Sequence, residues 1–205
     1  MNYKRLFLVM ALQVVALPAM YKVGCKPFSS IQKGFMKETV YGLIDKSHKA
    51  LLVAMFMFTD KEAARKLALA RARGVQVEVI MDNVSVRGNC SINEFLKKFH
   101  VPVFVYKSSD GIHHNKYMVV DNNKVWISSM NWTNAAFHKN SESGVLICSK
   151  PIAMFYRKDF KHTTSIIKRQ QEKDLESKKK FLKALVVERK KHQASLLAWK
   201  KAQRR

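Results

Sequence analysis

Acidic residues are scarce in this chain. Fifteen Asp and Glu face thirty-eight Lys and Arg over 205 residues, leaving a formal charge of +23 and a pI near 10.1. With so few carboxylates there is no acidic cluster of the kind that ligates a hard divalent cation. Cysteine is also sparse. Cys25, Cys90 and Cys148 form no CxxC pair, and no Cys/His group has zinc-like spacing. An odd count argues against a full disulfide framework and leaves two readings for Cys90 and Cys148, one bridge or two buried thiols. There is no internal repeat. No strongly apolar loop stands beside the polar stretch that carries His113 and His114.

What is present is basic and unevenly spread. From Arg157 to Arg205 there are seventeen basic and five acidic residues, so about a quarter of the chain carries half of the excess charge. Such a field attracts polyanions, either nucleic acid or an anionic membrane surface. The apolar fraction of 47% is that of an ordinary globular domain.

The N-terminus resembles an export signal. Lys4 and Arg5 precede an apolar run from Leu6 to Tyr21, broken by Gln13 and Pro18, with Ala19 as a small cleavage residue. The run also fits an uncleaved anchor, and Val23-Gly24 before Cys25 fits, less well, a lipoprotein signal. The expected organisation is a signal peptide or membrane anchor over 1–24, a catalytic domain over 25–160, and a basic helical tail over 161–205. The protein is then expected outside the cytoplasm, periplasmic, secreted or membrane-anchored.

The hydrophobic pattern predicts an α/β fold with a mixed, partly parallel sheet flanked by helices. A helix is expected over Ile31–Lys46 and a strand buried on both faces over Ala50–Phe58. Thr59 and Glu62 have capping-box spacing for a helix that runs to Arg73 and stops at Gly74. Val75–Asp82 completes a βαβ unit. A loop over Asn83–Asn89, a helix over Ser91–Phe99 and a strand over Val101–Tyr106 follow. Lys116–Asp121 and Lys124–Ser129 read as a hairpin turning at Asn122-Asn123. A short helix over Trp132–Phe137 and a strand over Gly144–Cys148 precede a helical stretch from Ile152.

The chemistry is concentrated in the hairpin. His114 and Lys116 are two apart, so on a strand they share a face. Ser129 and Asn131 follow the partner strand at the same end of the sheet. An imidazole, an ammonium, a hydroxyl and an amide thus converge, which suits a phosphate group beside a nucleophile. His113 reads as a neighbour in contact with substrate.

The pattern HxKxxxxD, then SxN, matched by His114, Lys116, Asp121, Ser129 and Asn131, resembles the HKD signature of the phospholipase D superfamily. The family usually has Gly where this chain has Ser128, which points to a crowded turn or a changed backbone angle. Asn140-Ser-Glu142 resembles the NSE element of single-motif nucleases. Phe56–Asp82 resembles the family's helix–strand core, and Phe28-Ser-Ser its opening. The likeness runs over about residues 28–160, nearest to small bacterial Nuc-type endonucleases and more distantly to Zucchini-type members, whose cysteine-rich zinc element is not apparent.

The resemblance implies a phospholipase D-like fold and a phosphodiesterase that needs neither metal nor cofactor. It implies in-line attack by His114, protonation of the leaving oxygen by a second histidine, and a phosphohistidine hydrolysed by water. It assigns Lys116, Ser129 and Asn131 to the phosphate oxygens, Glu142 to orienting the imidazole, and Asp121 to a supporting role in catalysis. One motif per chain implies a homodimer sharing one site. A nuclease acting on DNA or RNA is the first reading, with Tyr117 and Trp132 either stacking on bases or packing in the core. A phospholipid hydrolase is the alternative, and a catalytically silent nucleic-acid binder a third. The tail, with Phe181, Leu182, Leu185, Val186 and Trp199 among its basic residues, reads as amphipathic helix for nucleic acid, membrane or the dimer partner, or as a solvated extension.

Overall fold

A computed structural model describes residues 23–31, 34–86 and 92–203. The expected leader, apart from its last two residues, and Cys90 lie outside the described residues. The chain divides between Thr164 and Ser165 into two compact units.

The first unit is built on a seven-stranded sheet of order β1-β7-β6-β5-β2-β3-β4. The strands are β1 (Gly24–Ser29), β2 (Ala50–Met55), β3 (Gln76–Asp82), β4 (Val103–Tyr106), β5 (Lys116–Val120), β6 (Lys124–Ser128) and β7 (Ser143–Cys148). β2, β3 and β4 are parallel, and the pairings from β2 through β5, β6 and β7 to β1 are antiparallel. The sheet is mixed, as the pattern predicts. β2 is central, and all six of its residues are buried, which accounts for its unbroken apolar run.

Helices α1 (Phe35–Asp45), α2 (Lys61–Ala72), α3 (Asn83–Val86), α4 (Ile92–Lys98) and α5 (Asn134–His138) accompany the sheet. α1 buries Met36, Val40, Tyr41 and Ile44, spaced at three to four residues. α2 buries Ala63, Ala64, Leu67, Ala68 and Ala70, small residues that let it lie close to the sheet. It ends as the sequence requires. Gly74 has φ +90°, its N–H donates to Arg71 O, and the Val75 N–H donates to Ala70 O, which is a Schellman closure. α4 ends with the same pair of bonds around His100, whose φ is +54°.

Several local expectations need correction. The N-cap of α2 is Asp60, whose Oδ1 accepts the Ala63 N–H at 2.7 Å. Thr59 instead donates its backbone N–H to Trp132 O, and Glu62 pairs with Arg65. Asp60 prevails because its carboxylate also accepts the Tyr41 hydroxyl at 2.7 Å. The stretch read as a loop from Asn83 begins with α3. β1 is a strand that the hydrophobic pattern does not predict, because it carries one buried residue, Phe28. The hairpin turns one residue early: Asp121 and Asn122 are the left-handed residues, and the Asn123 N–H closes on Val120 O. Asp and Asn both tolerate that conformation at small cost, so the sequence offers competing turn positions.

The last helix, α6, spans Lys150–Ala202. Its first turns belong to the first unit, where Ala153 and Phe160 are fully buried. The second unit is the remainder of α6, and Leu175, Phe181, Leu182, Leu185, Val186, Val187, Leu196 and Trp199 are exposed along it. No helix among the described residues is long and apolar enough to cross a membrane.

Candidate active site

β1, β2, β3 and β6 reach one edge of the sheet with their C-terminal ends, and β5 and β7 leave from it. The register shows this directly. Met55 lies opposite both Lys116 and Met81, Ser128 opposite Gly144, and Ser29 opposite Ser143. The carboxyl ends of parallel strands, here those of β2, β3 and β4, are where open α/β folds place their ligands.

Lys116 is the first residue of β5, and His114 lies in the irregular segment just before it. The Phe56 N–H donates to Asn115 O at 2.9 Å and ties this segment to the end of β2. Phe56 forms a platform for both polar groups. Its ring centroid is 4.7 Å from that of His114, and the Lys116 ammonium is 5.2 Å from it. Lys116 Nζ also donates to His114 O at 2.7 Å. His114 is exposed and Lys116 half-buried. Burial pulls the Lys116 pKa down, while the negative charge of Glu142 pushes it back up.

Glu142 stands just before β7 in a dense network. Ser129 Oγ donates to one carboxylate oxygen and Asn140 Nδ2 to the other, the latter at 3.1 Å. The Glu142 N–H donates to Ser30 Oγ at 3.0 Å and the Ser30 N–H to Glu142 O at 2.9 Å. The Ser143 N–H donates to Ser129 Oγ at 3.0 Å. Asn131 is held by the Met57 N–H, which donates to its Oδ1 at 3.2 Å and leaves the amide nitrogen as a donor. His114, Lys116, Ser129, Asn131 and Glu142 therefore all stand at one sheet edge. Ser30, Phe56 and Asn140 were not singled out individually from the sequence. Their signal in the sequence is membership of the Phe28-Ser-Ser, Phe56–Asp82 and Asn140-Ser-Glu142 segments, each next to a strand end at that edge.

Three residues fall elsewhere. Asp121 is at the opposite end of β5, where its Oδ1 accepts the N–H of His48, Lys49 and Ala50 at 2.7–3.1 Å. Its expected part in catalysis is replaced by a structural one, clamping the hairpin turn to the start of β2. Tyr117 and Trp132 are 3% and 0% exposed, so of the two roles open to them the structure chooses core packing. The Tyr117 hydroxyl donates to Asp159 Oδ2 at 2.8 Å, and burial, with that carboxylate, raises its pKa.

His113 is not at the surface either. It is 5% exposed, its N–H donates to Asp82 Oδ2 at 2.8 Å, and its Nε2 has no hydrogen-bond partner. Burial lowers its pKa; Asp82 and Asp159 oppose this, and Lys116 adds to it. Buried in this way, His113 is not placed to touch substrate.

The crowding expected at Ser128 is resolved on the neighbouring strand. Ser128 faces Gly144, where an added Cβ would come within 3.0 Å of the Ser128 Cβ and 3.1 Å of Ile127 O. Ser128 is not among the residues with positive φ. The room for its side chain comes from the glycine opposite, not from a changed backbone angle.

Comparison with known proteins gives the family. A family model described as "Cardiolipin synthase, PLD-like domain" matches residues 40–164, more than half of the chain. A phospholipase D of Rickettsia conorii is 30% identical over 113 residues, covering 55% of this chain and 56% of its own length. A mitochondrial cardiolipin hydrolase of Xenopus laevis is 32% identical over 114 residues, covering 56% and 54%. The chain thus spans about half the length of the curated relatives it matches. Among solved structures, the phospholipase D family member Nuc from Salmonella typhimurium superposes with a TM-score of 0.64 at 26% identity, covering 69% of this chain and 94% of that one. NucT from Helicobacter pylori, at 20% identity and a TM-score of 0.65 over 70% and 97%, shares the fold. The chain belongs to the phospholipase D-like family, and its seven-stranded sheet is that family's fold.

Proposed function

We propose that this protein is a metal-independent phosphodiesterase, an endonuclease of DNA or RNA working through a phosphohistidine on His114. The observation that carries the reading is an exposed imidazole and a half-buried ammonium on one aromatic platform, at the same sheet edge as the Ser129–Glu142 pair. A nitrogen of His114 bonds to phosphorus as the bond to the leaving oxygen breaks. A second imidazole gives that oxygen its proton. The same imidazole then takes a proton from water, which attacks phosphorus and breaks the P–N bond. Lys116, Ser129 and Asn131 hold the non-bridging oxygens, and Glu142 orients the site.

The second imidazole comes from a second copy of the chain. His113 cannot supply it, being buried against Tyr106 with ring centroids 5.7 Å apart. Two-fold pairing of two such edges would bring one His114 from each subunit to a common site. The charge of +23 favours nucleic acid, and the leader favours work outside the cytoplasm.

A second reading is hydrolysis of an anionic phospholipid. It is favoured by exposed apolar side chains at the same sheet edge, Ile31 after β1, Val84 after β3 and Ile112 before β5. One experiment separates the two. Single-stranded DNA, duplex DNA, RNA and cardiolipin vesicles are incubated in excess EDTA with wild type and His114→Ala. Cleavage of nucleic acid by wild type, reduced about a thousandfold or more in the mutant, supports the nuclease. Loss confined to vesicles selects the lipid reading, and an unaffected mutant removes His114 from the chemistry.

A further inference from the structure

A cavity of about 190 Å³, with Glu142 in its lining, opens between α1 and α5. Its floor is apolar, with Met36, Met130 and Phe137. Its rim is cationic and polar. Lys37 comes from α1, and His138 and Lys139 come from the end of α5. The carboxylate among its lining residues is Glu142, whose two oxygens are taken up by Ser129 and Asn140. The α1 terminus beside it has no side-chain cap, and its amides add the same sign, opposed by Glu38 in the first turn.

The proposed chemistry uses Glu142 of this lining but neither lysine, and no ion pair of Lys37 or Lys139 is formed among the described residues. Lys37 packs its ammonium 5.4 Å from the Tyr41 ring, and its charge also acts on Glu62, which is itself paired with Arg65. Lys37 and Lys139, from two different elements, thus line one cavity together with Glu142, whose charge also acts on Lys116.

We infer that this cavity binds the phosphate next to the scissile one, so that the enzyme selects chains of phosphodiesters over isolated diesters. The inference rests on the nuclease reading and adds a residue-level basis for its substrate class. Lys37 and Lys139 take the oxygens of the flanking phosphate, and the apolar floor carries the sugar or base between the two phosphates.

Binding can be measured apart from catalysis. Thymidine 3′,5′-bisphosphate and thymidine 5′-monophosphate are titrated calorimetrically into the full chain and into Lys37→Ala/Lys139→Ala. The bisphosphate should bind wild type about tenfold more tightly than the monophosphate, and the difference should fall below about threefold in the variant. Equal affinity of wild type for both ligands, or a difference that survives the double substitution, overturns the inference. Kinetics give a second readout. On a thymidine trinucleotide KM should rise about tenfold in the variant, while kcat/KM on bis(4-nitrophenyl) phosphate, which has no second phosphate, stays within about twofold. A parallel loss on both substrates overturns the inference, as it would mean a damaged centre. If wild type prefers the bisphosphate but cleaves no oligonucleotide, the subsite stands and the nuclease reading falls. Lys139→Glu alone, at an exposed position, should repeat the effect without the cavity that Lys37→Ala leaves beside Tyr41.

Discussion

Lys116 and Glu142 illustrate how two single residues tune each other. Burial favours the neutral amine, and the nearby carboxylate favours the ammonium. Glu142→Gln removes the opposing influence, so Lys116 should lose its proton at lower pH. The alkaline limb of the kcat/KM profile should therefore move towards acid, and an unmoved limb would show that Lys116 does not govern it. Asp121 makes the opposite case, a motif residue with no place at the site. Asp121→Ala strips acceptors from the N–H groups of His48, Lys49 and Ala50 and should cost about 1–3 kcal/mol in urea unfolding. Its kcat/KM below the melting range should match wild type; a large loss there would return Asp121 to the chemistry.

His113 carries a pH dependence whose sign follows from its lowered pKa. Between the folded pKa and the ordinary histidine value the unfolded chain binds more protons than the folded one. Stability therefore rises with pH through that window and is lost as pH falls through it. His113→Leu removes both the titration and the unpartnered Nε2. The gap in Tm between pH 7 and pH 5 should narrow in the mutant, and an unchanged gap would place the acid sensitivity elsewhere.

At the scale of elements, the β6–β7 pair shows how neighbouring strands divide a constraint. Ser128 needs the space that Gly144 leaves, and a Cβ at position 144 also meets Met36 Cε at 3.1 Å. Gly144→Ala should destabilise by about 1–3 kcal/mol through overpacking. Adding Ser128→Gly should recover part of that loss, measurable as a non-zero coupling in a double-mutant cycle; strict additivity would refute the contact. Much of this level was legible in advance. The apolar run of β2, Gly74 as the stop of α2 and the βαβ unit follow from local rules. β1 did not, because it is fixed by backbone pairing with β7 and buries only Phe28. The choice of Asp60 over Thr59 as cap also escaped, since it depends on Tyr41, nineteen residues away in the chain.

Over the whole molecule the dominant feature is charge. A chain of +23 should bind nucleic acid with a log affinity that falls linearly with log salt, by about a thousandfold between 50 and 200 mM for some six phosphate contacts. His114→Ala should keep that slope while losing cleavage, because counterion release and phosphoryl transfer depend on different groups. A salt-independent affinity would count against nucleic acid as the polyanion.

Composition, the HxKx4D and SxN spacings and the period of the apolar residues sufficed for the family, the mixed α/β sheet and four residues at one sheet edge: His114, Lys116, Ser129 and Asn131. These are local or pairwise properties, and linear order preserves them. The sequence could not tell which polar residues of the motif stand together. Asp121 is only five residues from Lys116, yet it lies at the other end of β5, because a strand advances about 3.3 Å per residue. His113 adjoins His114 yet is turned into the core, and Glu142 is brought to Ser129 by the β6–β7 register. Tertiary structure decided these placements, because strand pairing and burial act between residues far apart in the chain.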